Sequence, residues 1–231
     1  MVIPDLDRFF IGYLHLSKYL KKKCVLTRKK YSRYTQRVIT PQQLRRRHFM
    51  KTLVVVAHPN IETSVVNKRW IKELKQYPEK YTVHELYKAY PEGKIDIEKE
   101  QKLIESHGSL VLQFPVYWFN CPSLLKKWLD DVFTYGWAFG SIGGDHLMNR
   151  KVALAVSAGA KQSDYSENGR YRHTLEQILI PFETTLFYCD ADYRSIYAFY
   201  GKEGAAEEDI KPEKYELTKS ARGFVEFIDN L

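Results

Sequence analysis

The amino-acid sequence predicts an α/β domain with a doubly wound parallel sheet of five strands. Short apolar runs, rich in β-branched residues, alternate five times with longer segments of helical periodicity. Such alternation is typical of a parallel sheet with helices on both faces. No internal repeat interrupts the pattern, and an aromatic content of 14% argues against extensive disorder.

The first strand is predicted at Leu53 to Ala57, a continuous apolar run of the kind that is buried on both faces of a sheet. It breaks abruptly at His58. Ser64 is a candidate helix N-cap, because its hydroxyl can accept a hydrogen bond from a free N–H of the first turn. Apolar residues then recur every four positions and predict a helix to about Tyr77.

The second strand is predicted at Tyr81 to Tyr87, where apolar and polar residues alternate. Residues Asp96 to His107 follow as a charged helix. Within it, Ile97, Leu103 and Ile104 are expected to face inward.

The third strand is predicted at Ser109 to Phe114 and ended by Pro115. The next helix has one apolar face with charged residues opposite. That face consists of Leu124, Leu125, Trp128, Leu129, Val132 and Phe133.

The last elements follow the same pattern. Lys151 to Ser157 is the fourth strand, and a helical stripe from Leu175 to Leu186 contains Pro181, which predicts a kink. A fifth strand lies within Phe187 to Phe199, and an amphipathic helix from Leu217 to Ile228 ends the pattern.

Ligands of such sheets bind at the carboxyl ends of the strands, where the strand order reverses. Three loops are expected to meet there. The first loop is His58 to Asn67, the second loop is Gln113 to Trp128, and the third loop is Ser157 to His173.

The first loop leads into a helix N-terminus, whose free N–H groups and positive dipole suit a phosphate. Ser64, Asn67 and His58 add side-chain donors. The loop lacks both GxxxxGK[ST] and GxGxxG, so it is neither a nucleoside-triphosphate loop nor a dinucleotide fingerprint. The alternative is an ordinary capped helix after a turn.

The second loop contains four aromatic residues within six positions, Phe114, Tyr117, Trp118 and Phe119, and no charged residue from 113 to 125. A loop this apolar usually marks a binding surface, and aromatic walls suit a flat conjugated ring. The alternative is that these side chains pack the core beneath the next helix.

The third loop begins with small residues at 157–160, which permit close approach of a ligand, and offers polar contacts from Tyr165, Tyr171 and His173. The alternative is a long surface loop. Taken together, the three loops suggest a mononucleotide that carries a flat ring, and FMN fits best.

Charge is distributed unevenly. Residues 1–49 carry 13 of 36 Lys and Arg but 2 of 28 Asp and Glu, a local net charge of +11, whereas the remainder has a net charge of −3. The main domain therefore has no nucleic-acid footprint. Because Met50-Lys51-Thr52 resembles a natural start, residues 1–49 are interpreted as an extension outside the catalytic domain at 50–231. A basic arm for nucleic acid or an anionic membrane is the alternative.

The remaining composition suits a protein of a reducing compartment. Cys24, Cys121 and Cys189 are odd in number and widely spaced, and the histidines have no ligand-like spacing, so neither a disulfide framework nor a structural metal is expected. No apolar run is long enough to span a membrane, and a signal peptide is not recognisable. A cytoplasmic protein is predicted.

Three motifs carry a resemblance to a known family: AHPN…S..N at 57–67, FPVYWFNCPSLLKKWLDDVF at 114–133 and YGWAFG at 135–140. The sequence from Met50 onward resembles the flavodoxin-like NAD(P)H:quinone oxidoreductases. That family includes DT-diaphorase, the general stress protein 14 group and the ancillary flavoproteins of glutathione-gated potassium efflux systems.

The resemblance implies bound FMN, with FAD less favoured, and assigns residues to three parts of it. The phosphate and ribityl chain would be held by His58, Ser64, Val65, Val66 and Asn67. The isoalloxazine edge would be held by Pro115, Val116, Tyr117, Trp118 and Phe119, and the third loop would contribute Ser157, Ala158, Gly159 and Ala160.

The resemblance also implies a mechanism, in which NAD(P)H donates a hydride to the flavin and a quinone-like acceptor then occupies the same slot. Tyr165 is the first candidate for a catalytic side chain. Relatives of the DT-diaphorase kind carry a histidine where this sequence has Tyr171, so Tyr171 or His173 comes second. Trp137 and Phe139 are expected to line the acceptor slot of a homodimer whose active site lies at the interface.

Two other functions stay open. One is a flavodoxin-like carrier of single electrons, which would not consume NAD(P)H directly. The other is a flavin-containing regulatory subunit of a membrane transporter of the potassium-efflux type.

Overall fold

The computed structural model describes residues 50–141, 143–201 and 214–231. Expectations about residues 1–49 lie outside these ranges. Within them, five parallel strands form one sheet in the order β2-β1-β3-β4-β5. The strands are β1 (Thr52–Val56), β2 (Tyr81–Glu85), β3 (Ser109–Pro115), β4 (Lys151–Ala158) and β5 (Asp192–Tyr200). This order confirms the flavodoxin-like doubly wound sheet.

Seven α-helices are described around the sheet in the same ranges. They are α1 (Val66–Leu74), α2 (Leu86–Ala89), α3 (Ile97–Glu105), α4 (Ser123–Val132), α5 (Leu175–Ile178), α6 (Ile180–Tyr188) and α7 (Lys214–Asp229). Two apolar cores cover the two faces. α1 and α7 pack on one face, and α2 to α6 pack on the other.

The apolar strands are continuous in sequence because both faces are covered. In β1, Val54 and Val56 face the core under α1 and α7, whereas Leu53 and Val55 face the opposite core. Successive side chains of a strand point to opposite faces, so each face requires its own apolar set.

Several predicted boundaries change. β2 ends at Glu85, because Leu86 starts a short helix, and the first helix ends at Leu74 rather than Tyr77. The prediction that Ile97 faces inward is wrong, since its side chain is exposed at the first position of α3. The predicted kink near Pro181 takes the form of a break between α5 and α6 at Leu179.

The sheet has two distinct edges. The three loops leave from the carboxyl ends of β1, β3 and β4, on either side of the point where the strand order reverses. Each helix runs back against the strands, so the ends of α3, α4 and α6 lie at the opposite, amino edge. Arg150 marks that edge, where it donates to the carbonyls of His107 and His146.

Candidate functional site

Ser157, near the end of β4, joins all three loops. Its hydroxyl accepts a hydrogen bond from Asn67 Nδ2 of the first loop at 2.8 Å. Its carbonyl accepts from the backbone N–H of Val116 in the second loop, also at 2.8 Å. Three segments that are 40 or more residues apart in the chain therefore meet at one edge of the sheet, as the loop prediction required.

A buried polar pair lies beneath this junction. Asn67 is 1% exposed and Gln113 is fully buried on β3. Gln113 Nε2 donates to both the backbone oxygen and Oδ1 of Asn67, at 3.2 Å each. Gln113 Oε1 has no hydrogen-bond partner among the described residues, which is costly for a buried oxygen. Sequence reasoning did not assign Gln113 to the site; its signal was a single polar residue inside the apolar strand SLVLQFP.

The first loop offers free donors at the start of α1. Ser64 Oγ accepts from the N–H of Asn67 at 3.1 Å, so Ser64 satisfies one free N–H of the helix from the residue before the N-cap Val65. The N–H groups of Val65 and Val66 have no acceptor within the described ranges. They belong to the N-cap residue and the first residue of a nine-residue helix, where an anion is favoured.

His58 adds a neutral donor to the first loop. Its Nδ1 accepts from the N–H of Asn60 at 3.2 Å, so the neutral ring carries its proton on Nε2. Burial lowers the pKa of the His58 imidazole from its ordinary value, which favours this neutral form.

The second loop forms a tight two-residue turn. Tyr117 and Asn120 exchange two backbone hydrogen bonds of 2.9 Å, and the two residues between them have positive φ, +48° at Trp118 and +58° at Phe119. Turns of this geometry normally contain glycine or asparagine, so two aromatic residues there store strain. Trp118 is 94% exposed. The alternative that these aromatics pack the core applies to Phe114 alone, which is fully buried.

The third loop completes an aromatic cluster with the turn. The ring centroid of Tyr171 lies 5.0 Å from that of Phe119 and 5.0 Å from that of Tyr165. Tyr200, at the end of β5, lies 5.6 Å from Tyr165 and was not identified from the sequence. Burial is the main cause that raises the pKa of Tyr165 to about 12, so its hydroxyl keeps its proton near neutral pH.

The other predicted site residues of the third loop differ in their exposure to solvent. A Cβ on Gly159 would meet no atom within 4 Å, so the backbone there is open to a ligand. Ala158 is buried and Ala160 is half-buried. His173 is exposed, and its Nδ1 lies 3.1 Å from the carbonyl oxygen of Tyr171, but its ring has no stacking contact with the cluster among the described residues.

Within one chain, Trp137 and Phe139 do not lie at this edge, so their predicted place in the acceptor slot would require a second copy and stays a prediction. Trp137 is 7% exposed, donates to Glu105 Oε1 at 2.7 Å and stacks on His146 at the amino edge of the sheet. Phe139 contacts Tyr188 at the end of α6, also at the amino edge, with ring centroids 5.3 Å apart. The cause is topological, because the YGWAFG segment follows α4, which runs away from the three loops.

The carboxyl edge therefore fits a mononucleotide with a planar ring. Free N–H groups and the His58 donor suit a phosphate, Gly159 leaves room for a ligand, and the strained aromatic turn provides flat apolar surface. In the part of the chain that the structure describes, no group of three or more His, Cys, Asp or Glu could hold a metal ion. No described helix is long and apolar enough to cross a membrane.

Comparisons with known proteins agree with this fold. A family model for a flavodoxin-like fold matches residues 50–220. The uncharacterized NAD(P)H oxidoreductase YrkL of Bacillus subtilis (strain 168) is 48% identical over 162 residues, which are 70% of this chain and 92% of that protein. The glutathione-regulated potassium-efflux system ancillary protein KefG of Cronobacter sakazakii is 40% identical over 139 residues, 60% of this chain and 74% of that protein.

A solved structure is also similar. General stress protein 14 of Treponema denticola, in complex with FMN, superposes with a TM-score of 0.72 at 50% identity, covering 78% of this chain and 98% of that chain.

Proposed function

Because the chain belongs to the family with a flavodoxin-like fold that matches residues 50–220, we propose that it is an FMN-dependent NAD(P)H oxidoreductase that reduces quinones. Nitro and azo compounds are related acceptors of the same two-electron chemistry. The 48% identical relative is named an NAD(P)H oxidoreductase, and the 50% identical structure contains FMN. The particular acceptor and the order of the steps are our proposal.

The observation that carries the proposal is the meeting of the three loops at Ser157. The hydrogen bonds from Asn67 and Val116 bring three features together. These are a helix terminus suited to bind phosphate, an aromatic turn, and a strand end with small residues that is open to a ligand. Each of these features alone could be explained without a ligand, as a capped helix or as a surface loop. The combination matches one ligand class, a mononucleotide with a flat ring.

At the phosphate end of the proposed site, the chain binds the phosphate and orients the cofactor. The free N–H groups of Val65 and Val66 and the Nε2 proton of His58 are the donors we assign to the phosphate. Asn67 and Gln113 fix the position of this loop against β3 and β4. The unpaired Oε1 of Gln113 can accept one further hydrogen bond beneath the site.

At the ring end, the chain supplies flat apolar walls and excludes water. Trp118, Phe119 and Tyr171 are the walls that we assign to the ring and to the slot above it. When bound, FMN supplies the chemistry of accepting a hydride from NAD(P)H and passing two electrons to the acceptor. Because one slot serves the donor and the acceptor in turn, ping-pong kinetics are expected.

Tyr165 is the proposed catalytic side chain. It belongs to the aromatic cluster and is 9% exposed. Its pKa is raised to about 12, so its hydroxyl keeps its proton at neutral pH. A hydroxyl that stays protonated can donate a hydrogen bond to charge that develops on the ring or on the acceptor oxygen. Tyr171 is the second candidate, and His173 is the weaker because its side chain is exposed.

A homodimer would bring Trp137 and Phe139 to the slot. Within one chain the two residues lie at the amino edge, beside the exposed rings of Tyr135 and Tyr188. Large exposed aromatic side chains are typical of interfaces. We therefore propose that a second copy contributes this aromatic edge to the acceptor slot.

The proposal is tested by purification and a kinetic assay. The purified chain is expected to show a flavin absorbance spectrum and to reduce menadione with NADH or NADPH, with parallel lines in double-reciprocal plots. Colourless protein that cannot be reconstituted with FMN would contradict the proposal, as would a bound flavin that NAD(P)H fails to reduce. The second outcome would instead favour a single-electron carrier.

The relatives favour one other function, regulation of a membrane transporter. KefG, 40% identical, is named as an ancillary protein of a potassium-efflux system. The two functions differ in a measurable way, because a regulatory subunit changes potassium efflux when it binds the transporter even if its turnover is strongly reduced. Co-expression of the chain with a candidate efflux protein, with and without Tyr165→Phe, separates regulation from catalysis.

A further inference from the structure

Arg170 lies at the rim of the aromatic cluster. Its guanidinium carbon is 5.8 Å from the centroid of the Tyr171 ring, which is within the range of a cation–π contact. Tyr171 in turn contacts both Phe119 and Tyr165. An exposed cation is thereby placed next to the slot that the cluster forms.

The backbone of the loop that contains Arg170 is fixed by hydrogen bonds within the loop. The N–H of Tyr171 donates to the carbonyl of Asp164, and the N–H of Gly169 donates to that of Ser166, both at 3.0 Å. A Cβ on Gly169 would lie 2.3 Å from the carbonyl oxygen of Ser163, so the backbone cannot accept a larger residue without moving. The backbone position of Arg170 is therefore set by the fold of the loop.

Arg170 has no ion-pair partner among the described residues. Of the two acidic residues nearest in sequence, Asp164 is hydrogen-bonded elsewhere, because one of its carboxylate oxygens accepts from the N–H of Lys161 at 3.2 Å. The other, Glu167, is exposed to solvent. A guanidinium held against an aromatic wall, without a carboxylate, is free to meet an external anion.

We propose that Arg170 binds the diphosphate of NAD(P)H while the nicotinamide occupies the slot beside Tyr171. The inference rests on the proposed function and adds a subsite for the electron donor. Guanidinium groups bind phosphate oxygens in a planar, often bidentate geometry. In NAD(P)H the diphosphate is separated from the nicotinamide by one ribose, so a cation at the rim of the slot is suitably placed to bind it.

The test compares two donors that differ in their phosphates. Reduced nicotinamide riboside carries the same reacting ring as NADH but no phosphate, and menadione serves as an uncharged acceptor for both. In the flavin-loaded protein, Arg170→Gln is expected to lower kcat/KM for NADH about tenfold, which corresponds to about 1.4 kcal/mol. The value for reduced nicotinamide riboside is expected to stay within about twofold of the unaltered protein.

Arg172→Gln is the matched control. It removes the same charge from the same loop, and Arg172 has no ring contact among the residues the structure describes. It is expected to change kcat/KM for NADH by less than about threefold. An equal loss in both variants would indicate a general positive field and overturn the assignment of Arg170.

Two further results overturn the inference. An equal loss for both donors in Arg170→Gln would mean that Arg170 shapes the slot through Tyr171, and unchanged kinetics with NADH would mean that it binds no donor phosphate. If the unaltered protein instead binds no flavin and turns over neither donor, the proposed function itself fails. The two failures are therefore distinguishable.

Discussion

Tyr165 is the single side chain on which the proposed chemistry depends most. Tyr165→Phe removes the hydroxyl and keeps the ring contacts with Tyr171 and Tyr200. We expect kcat for menadione reduction to fall about tenfold to a hundredfold, the range typical of a lost proton or hydrogen-bond donor, with flavin content unchanged. Steady-state kinetics and the flavin-to-protein absorbance ratio measure the two effects.

The control for Tyr165 is Tyr200→Phe, which alters a neighbouring ring of the same cluster. It is expected to leave kcat nearly unchanged. Because Tyr165 has a pKa of about 12, it should add no titration to the kcat profile between pH 6 and 9 in the unaltered protein. Equal losses in both variants would indicate a packing role for the cluster instead.

The buried side chain of His107 gives the protein a pH-dependent stability. His107 Nδ1 donates to the carbonyl oxygen of Leu103, and its Nε2 shares a hydrogen bond with the Thr82 hydroxyl, each at 2.7 Å. Burial, with a smaller effect of the Arg150 cation, lowers the pKa of His107 in the folded protein. An unfolded histidine has a pKa of about 6.5, so below that pH the unfolded chain binds more protons.

The sign of this linkage is therefore a loss of stability in acid. The contribution of His107 is fully present above pH 6.5 and declines as the pH falls towards the lowered pKa of the folded state. His107→Gln should reduce stability at pH 7 but make its decline between pH 6.5 and 5 shallower. Urea unfolding with excess FMN measures both slopes, and parallel slopes would refute this role.

Among the elements, the strained turn at Trp118 and Phe119 is expected to lower the stability of the protein and to contribute an aromatic surface for binding. Trp118→Asn places a residue that tolerates positive φ at a position whose side chain is 94% exposed. We expect the flavin-free protein to gain about 0.5–1 kcal/mol in its free energy of unfolding. FMN affinity should fall, because the aromatic wall is lost.

The matched control is Tyr215→Asn, which removes another exposed aromatic ring from α7. It should leave FMN affinity unchanged. Urea unfolding and fluorescence titration with FMN provide the two readouts. Retention of full FMN affinity by Trp118→Asn would show that the turn does not contact the ring.

Elements could be predicted where one local rule dominated. Continuous apolar runs identified the central strands β1, β3 and β4, which are buried on both faces, whereas β2 was identified by its alternation of apolar and polar residues. Ser64 and Pro115 marked ends correctly to within a residue or so. The orientation of Ile97 could not be predicted, because a helix's first residue can lie beyond the core that its later turns contact.

The site was predictable in its loops and less so in its contacts. Loop residues such as Asn67 and Ser157 carried recognisable signals, and the sheet topology brings them together. The pairing of Tyr165 with Tyr200 depends on the register of β4 and β5, which a sequence pattern does not contain. The amino-edge position of Trp137 required the direction of α4 to be followed through the fold.

At the scale of the whole molecule, the aromatic amino edge predicts assembly. Tyr188 is exposed at the end of α6 and contacts Phe139. If a second copy covers this edge, Tyr188→Arg should produce a monomer and lower kcat/KM for menadione more than tenfold. Sedimentation velocity measures the first effect and kinetics the second. An unaltered protein that is monomeric and fully active would contradict the shared site.

Residues 1–49 are proposed to lie outside the catalytic domain. Their net charge of +11 contrasts with −3 for the remainder, and the family match begins at residue 50. A chain shortened to residues 50–231 should retain flavin content and menadione turnover within about twofold. Loss of either would show that the extension contributes to the working protein.

We propose that the carboxyl edge of this sheet binds FMN and uses it to oxidise NAD(P)H. The most direct measurement is an anaerobic absorbance titration of the purified, flavin-loaded protein with NADH, followed by menadione. We expect NADH to bleach the flavin absorbance and menadione to restore it, with one equivalent of each per flavin. A protein that binds no FMN, or whose flavin NADH leaves oxidised, would contradict it.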